Sequence, residues 1–330
     1  MVTRLREFIQ SNSMILIGGF ALSMFSYTCH ADDCGAFVVD LLLGEPVPKD
    51  VLLDDLSSVR IIYLGEYHTI ERHHKLQTDL LRSLAEGGMQ LSLGMEMFSY
   101  DQQEILDRWL KGKDDIAGLI KDLGAERWTN LKAYEPVLVL ARDLKFPIIA
   151  LNAPEKLVRK VSRGGLESLS ESERKSIPES LEQINPQYDR LLRIRLRVHR
   201  AFHDKGLKNV VLAQALRDQT MAGRVVSFLQ SPDGKDRSMI VIAGSGHLNY
   251  GFGIPERVER HNNYKYRILL ASESGELVLS EEEKRQSMPV DITHEDLRFI
   301  QRPIADYVYV VPLKDEDKSQ ETETASAHLE

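Results

Sequence analysis

"VRIIYLGEYHTIERHHKLQTDLLRSL", residues 59–84, changes its period halfway along. Residues 59–66 are aliphatic or β-branched and lack strict polar alternation, the pattern of a parallel strand covered on both faces. Beyond residue 71 the apolar positions return every four residues, at Leu76, Leu80 and Leu84 with Leu81 beside them, which predicts a helix over 71–86. The same unit recurs downstream. "QLSLGMEMF" (90–98), "FPIIALNAP" (146–154) and "RSMIVIAGSGH" (237–247) read as strands bounded by Gly, Pro or polar residues. "YKYRILLA" (264–271) and "DYVYVV" (306–311) add two more, whose Tyr-rich alternation suits a sheet edge.

Helical stretches lie between these strands. "SYDQQEILDRWLKG" (99–112) opens on Ser99 as an N-cap and closes on Gly112. "NLKAYEPVLVLARDL" (130–144) reads as a helix bent near Pro136. Strand–helix alternation on this scale predicts an α/β fold with a mainly parallel central sheet and helices on both faces. Residues 162–230 break the rhythm with helical signals and no convincing strand, although "NVVLA" within them is ambiguous. They are expected to form a helical insertion of the same domain, before the later strands.

The two ends of the chain read differently from its middle. Arg4 and Arg6 precede an apolar run over 14–27, and small residues Cys29 and Ala31 follow at the −3 and −1 positions of a cut after Ala31. That describes a secretory signal peptide over 1–31, removed on export. An anchoring helix is one alternative; a lipoprotein with Cys29 lipidated is another, for which Tyr27 and Thr28 make an unusual lipobox. The expected location is exported: periplasmic or outer-membrane-associated, with a lipid anchor left open. Residues 314–330 hold six acids against two lysines, and read as a disordered acidic tail after a domain over 32–313. A formal net charge of −8 argues against a nucleic-acid partner. Only Cys29 and Cys34 are present, so a cut after Ala31 leaves Cys34 without a partner in its own chain. A structural zinc site built on thiolates is excluded.

In a parallel sheet ligands bind outside the carboxyl ends of the strands. The first strand stops on Glu66 and His68, the second on Glu96, the third on Asn152 and the fourth on His247. Each alone is explained by capping the next helix; together they point to a shared pocket. Positions i and i+2 of a strand face the same side, so Glu66 and His68 can point together. Gln214, Arg217, Asp218 and Met221 follow helical spacing and form one stripe, solvated in the plainer account. His73, His74 and Gln77 fall in the first turns of the helix at 71–86 and read as orienting or surface residues. No HExxH motif and no CxxC pair is present.

Five blocks in this order, "LGEYH", "GMEMF", "YEPVLVLARDLKFPIIALNAP", "AQALRDQTMA" and "AGSGHLNYGFGIP", with "IADYVYV" (304–310) closing, resemble the ChaN family of haem-binding, iron-uptake-associated proteins. The match spans roughly residues 55–312, and more distantly the set resembles erythromycin esterase and Tiki-type hydrolases of the same fold. The resemblance implies a pocket of Glu66, His68, Glu96, Arg217, Asp218 and His247. It implies haem as cofactor, held by a tyrosine and shared across a homodimer, in an exported protein that is often a lipoprotein. Tyr250 is the first candidate ligand, with Tyr67 and Tyr100 as alternatives and Asp218 also in the cofactor-binding set; in the plainer account Tyr250 only packs its loop. A haem-binding protein of iron uptake is therefore one reading. The other is a hydrolase in which Glu66 or His68 is general base and Arg217 steadies an oxyanion. In that case Glu66, His68, Glu96 and His247 could hold a divalent metal ion such as Zn²⁺ or Mn²⁺. A third reading makes the cluster an inert buried polar network. Arg190, Arg193, Arg197 and Arg200 share a helix face and offer an anion-binding stripe for propionates or membrane headgroups, or simply a solvated face.

Overall fold

Six strands run parallel, and helices supply the crossovers that return the strands Leu91–Ser99, Ile148–Asn152, Ser238–Gly244 and Tyr266–Ala271 to the same end of the sheet. In the computed structural model, residues 36–310 are described apart from 113, 125–130, 179–180, 182, 198–203 and 273–291. The strands are β1 (Phe37–Asp40), β2 (Glu45–Pro46), β3 (Ile61–Glu66), β4 (Leu91–Ser99), β5 (Ile148–Asn152), β6 (Ser238–Gly244), β7 (Tyr266–Ala271) and β8 (Tyr307–Val310). They form one sheet of order β2-β1-β8-β7-β3-β6-β4-β5. Everything from β8 to β5 is parallel, and β1 pairs antiparallel with both β8 and β2, so that among the described strands it alone runs against the rest. The fold is α/β with a mainly parallel sheet, as the alternation predicts, although the β1–β2 hairpin was not foreseen. Both proposed terminal segments, the signal peptide over 1–31 and the acidic tail over 314–330, lie outside the described residues.

Period-two alternation sorts the side chains of each strand onto two faces. Ile62, Leu64, Ile240 and Ile242 face a core with α1 (Lys49–Ser57), α2 (Glu71–Glu86), α3 (Gln103–Lys111), α4 (Ile116–Leu123) and α5 (Glu135–Asp143). Ile61, Tyr63, Met239, Val241 and Ala243 face the other way. Three helices precede the long one: α6 (Glu155–Gly164), α7 (Glu171–Ser176) and α8 (Pro186–Leu196). Helix α9 (Asp204–Gln230) then returns the chain to the sheet, and α10 (Ile254–Glu259) packs beside it. Residues 208–212, including the ambiguous "NVVL", are helical. The last part of α9, from Met221 to Leu229, covers the second sheet face. Its earlier turns pack Leu212, Ala213 and Leu216 on α6, and Val211 on α8. At 27 residues it is about 40 Å long, enough to serve both as crossover and as a wall beyond the strand ends. No helix among the described residues is long and apolar enough to cross a membrane.

Two expectations need correction. The Tyr-rich strands are not edges: β7 lies between β3 and β8, and β8 between β7 and β1. Their alternation misleads because a tyrosine buries its ring and places only its hydroxyl on a polar partner. Tyr307 and Tyr309 are buried, with Tyr307 Oη donating to Asp55 at 2.8 Å, and Tyr266 packs edge-on against Tyr63 at 5.5 Å. The stretch 130–144 is a break rather than a bend. A 3₁₀ turn over Leu131–Tyr134 ends before α5, and Pro136 sits in the first turn of the new helix, where its missing N–H costs nothing.

The true open edge, β5, is closed by side chains. Gln103 Nε2 donates to Ile148 O (2.8 Å), its Oε1 accepts from Ala150 N (2.8 Å), and Arg224 Nε donates to Ala150 O (3.1 Å). The amide imitates a further strand, which blunts edge-to-edge pairing. Replacing Gln103 and Arg224 together by Ala is expected to cost about 1–3 kcal/mol for each backbone group left unpaired. It should also produce concentration-dependent self-association in sedimentation velocity. Unchanged denaturant midpoint and unchanged sedimentation would show that the edge needs no guard.

Candidate functional site

The order β3-β6-β4-β5 sets four strand ends side by side, and three of them bring a charged group to one place. Glu66 ends β3, Glu96 sits near the end of β4, and β6 leads into a 3₁₀ turn over Ser245–His247. Asn152, at the end of β5, is a bolt between strands: its Nδ2 donates to Glu96 O at 3.0 Å. Helix α2 settles the capping alternative. Its N-cap is Ile70, which makes no side-chain cap bond, so neither Glu66 nor His68 caps it.

Glu66 is 2% exposed, and a carboxylate so withdrawn from water must find donors. Its Oε1 accepts from His68 Nδ1 (2.7 Å) and from Tyr134 Oη, and its Oε2 accepts from Gln77 Nε2. His74 Nε2 stands 3.6 Å from Oε2. Burial pushes this carboxyl up, but the bond and charge of His68, with Tyr134 and Gln77, more than offset it and hold it below its ordinary value. Burial pushes His68 down, and its bond to Glu66 together with the charges of Glu96 and Glu66 brings it above its ordinary value. His74, buried without such a bond, is lowered chiefly by burial.

The second half of the cluster is centred on His247. Its Nδ1 lies 2.5 Å from Asp218 Oδ1 and its Nε2 3.2 Å from Glu96 Oε1. Asp218 Oδ2 accepts from Tyr188 Oη at 2.7 Å, and Glu96 Oε2 accepts from Gly244 N at 2.7 Å. Burial opposes charge on His247, yet the two carboxylates push it up to about 10, and Glu96 is driven well below the usual carboxylate range against its own burial. Gly244 lets the two halves approach: a Cβ on it would lie 3.0 Å from His68 Nε2 and 3.6 Å from Glu96 Oε2, so a side chain there would need the imidazole to shift by a few tenths of an ångström.

Both halves open onto a cleft of about 560 Å³ lined by His68, Glu96, Glu155, Val158, Arg159, Ser162, Val210, Ala213, Gln214, Arg217 and His247. The stripe on α9 is therefore not a solvated face: Gln214 and Arg217 line the cleft, Asp218 is buried beneath it and Met221 lies in the core. The tyrosines fall elsewhere. Tyr67 is half-buried and tilts against His73 at 6.1 Å, and Tyr100 begins a 3₁₀ turn after β4. Tyr250 has a left-handed φ of 61° and packs at 6.4 Å from Phe252, in a cluster with Leu297, Phe299 and Ile300. None of the three lines the cleft. Of the arginine stripe, Arg190 stacks over Phe299 (4.3 Å), Arg193 pairs with Asp189 (2.7 Å) and Arg197 with Asp296 (3.2 Å); Arg200 lies outside the described residues. Among the described residues no group of three or more His, Cys, Asp or Glu is arranged to hold a metal ion. Glu66, His68, Glu96 and His247 instead spend their bonds on one another and on neighbouring donors.

Tyr134, Tyr188 and Arg257 were not singled out from the sequence, although all three face the buried carboxylates. Only the Tyr-Glu-Pro triplet before α5 hinted at the first.

Residues 52–258 match the family model described as haem-binding uptake, Tiki superfamily, ChaN. Protein RETICULATA-RELATED 5, chloroplastic, of Arabidopsis thaliana is 30% identical over 241 residues, which is 66% of this chain and 32% of that protein. The chain thus spans about a third of the length of this relative. Among solved structures, cofacial heme binding to ChaN of Campylobacter jejuni matches with a TM-score of 0.62 at 18% identity, over 84% of this chain and 96% of that one. An erythromycin esterase variant in its open conformation matches with a TM-score of 0.42 at 14% identity, over 67% and 72%. The first likeness shows a shared fold, and the second is too slight to carry a functional argument.

The raised His247 makes a prediction about pH. A group whose pKa is raised on folding stabilises fully below its unfolded value and loses that contribution as pH rises through the folded value. His247 therefore stabilises below pH 6.5, and the stabilisation is expected to fade between pH 6.5 and about 10. His247→Gln should be less stable below that window and show a flatter alkaline limb in denaturant titrations. Parallel limbs for the variant and the parent would refute it.

Proposed function

The chain belongs to the haem-binding uptake, Tiki superfamily, ChaN family, and we propose on that premise that it is an exported haem-binding protein of haem or iron acquisition. The observation that carries this reading is the family match over residues 52–258. Export is supported by the charged and apolar segments before Ala31, with lipidation of Cys29 as the variant that would tie it to an envelope membrane. Cofacial haem binding in the Campylobacter jejuni protein supports a homodimer, since two stacked rings call for two binding faces.

Haem asks for apolar contact over its ring, an axial donor and cations for its propionates. The cleft does not fit: most of its lining is polar, and both ring nitrogens of His247 are taken by Asp218 and Glu96. The surroundings of Tyr250 fit. The half-buried phenol tilts against Phe252, and Leu297, Phe299 and Ile300 pack on the same apolar cluster. Arg302 Nη1 donates to Tyr250 O (3.2 Å) and its guanidinium stacks over Phe252 (4.8 Å), while Arg190 covers Phe299. Tyr250 would supply the axial oxygen, with Arg302 and Arg190 near enough in the patch to serve the carboxylates. Bound haem supplies the iron centre; the chain supplies ligand, ring contact and charge.

A second reading is favoured by one specific observation: two imidazoles, each held by a buried carboxylate, share a cleft with Arg217. In a hydrolase of this design, unprotonated His68, oriented by Glu66, takes the proton of an attacking water. Arg217, on the wall of the same cleft, faces the developing oxyanion.

Hemin titrated into the full chain is expected to give a sharpened, shifted Soret band. Tyr250→Phe should weaken binding at least tenfold and alter the charge-transfer bands of a phenolate-bound ferric haem. Retention of both would move the ligand to Tyr67 or Tyr100. Replacing Glu66 and His68 by Gln should spare hemin binding and abolish any turnover on an ester panel. Turnover that survives the double replacement would rule out the hydrolytic assignment.

A further inference from the structure

Charge matching inside the cleft leaves one group over. His247 lies between Asp218 (2.5 Å) and Glu96 (3.2 Å), His68 holds Glu66 at 2.7 Å, and Arg159 pairs with Glu155 at 2.6 Å. Arg217 lines the same cleft, half-buried, and makes no hydrogen bond or ion pair with any described residue. Its charge reaches Glu96 only through space. A guanidinium carries five N–H donors in a planar fork, and withdrawing it from water without an acceptor is unfavourable.

The side chain is also held where it is. Leu216 and Asp218, on either side of it, are fully buried, so the turn of α9 that carries Arg217 cannot roll outward. One turn earlier, Gln214 brings its amide Nε2 within 3.0 Å of His247 Nδ1 on the same wall. Nitrogen donors of Arg217 and Gln214 therefore lie on one wall of the cleft, while its carboxylates and both ring nitrogens of His247 are already engaged. A cationic ligand would meet an unopposed guanidinium, and a neutral one would leave its donors unpaired. An anion with two oxygens answers the planar fork.

We infer that the cleft is a receptor for an oxyanion, a carboxylate or phosphate group borne by a small ligand, with Arg217 as the recognition group. The receptor is separate from the aromatic patch around Tyr250, and it needs neither haem binding nor turnover. It makes Arg217 a group that engages its ligand in the ground state.

The test uses the full chain with phosphate and acetate as probes, followed by isothermal titration and by protection of arginines from phenylglyoxal, mapped by peptide mass. At least one anion is expected to protect Arg217 selectively. Arg217→Gln should weaken that anion at least tenfold, in keeping with a lost charge-assisted bond. Arg217→Lys should fall between, keeping the charge and losing the fork, and Arg159→Gln should stay within about threefold, because Arg159 is exposed and already paired with Glu155. Hemin and hemin dimethyl ester form a second arm. Protection by hemin and not by its ester identifies the anion as a porphyrin carboxylate; protection by phosphate alone identifies a phosphate ligand. Should Arg217→Gln fail to fold, protection in the parent chain still decides. Equal modification of Arg217 with and without every probe, or unchanged affinity in Arg217→Gln, overturns the inference. Hemin that binds without protecting Arg217 leaves the haem reading intact and, if the small anions also fail, removes this one.

Discussion

Three carboxylates buried at the ends of a parallel sheet are the constraint around which the structure is arranged. Glu66, Glu96 and Asp218 are each at most 3% exposed. Desolvating an ionised carboxylate costs several kcal/mol even after relaxation, so each must be met by donors brought from elsewhere in the chain. Glu66 draws Gln77 from α2 and Tyr134 from the turn before α5; Asp218 draws Tyr188 from α8 and His247 from the loop after β6. These bonds explain features that apolar packing alone does not. Helix α2 turns Gln77 inward among its leucines, and the chain breaks at Tyr134 instead of running one helix through Pro136.

The strand ends were legible for a topological reason. Strands without polar alternation must be covered on both faces, which demands crossovers, and crossovers put every carboxyl end on one side. Glu66, His68, Glu96 and His247 could thus be placed together before any contact was known. Their donors could not. Tyr134 lies 68 residues from Glu66 and His247 lies 29 from Asp218, and no periodicity encodes a bond across such distances. The Tyr-rich strands misled for a related reason: ring burial and hydroxyl bonding satisfy at once the polar and the apolar half of an alternating pattern. The turn before α5 was half legible, since proline marks the place and not whether the chain bends or breaks there.

Family membership and buried chemistry meet in one loop. His247 and Tyr250 are three residues apart, yet the first faces the cleft and the second an aromatic patch. Tyr250 takes a left-handed backbone, which reverses the chain within that short span, and its N–H is tied to Ile304 O at 2.7 Å. Gly253 then passes so close to His247 that a Cβ would stand 2.2 Å from the His247 carbonyl oxygen. A left-handed conformation at a tyrosine is unfavourable and persists only where its surroundings over-determine it.

Those surroundings are the polar network itself. His247 is pinned by Asp218 on one side and Glu96 on the other, so the start of the loop has one position, and the close passage of Gly253 leaves its end one route back to α10. Tyr250 lies between two anchored points, its N–H held by Ile304 O and its carbonyl by Arg302, with its ring tilted against Phe252. Were Tyr250 the axial ligand proposed above, the buried acid–base cluster would have a use even without any reaction to run there, because a mobile tyrosine makes a poor ligand. From the cleft side the cluster resembles a catalytic site; from the other side it anchors the start of the loop that carries Tyr250.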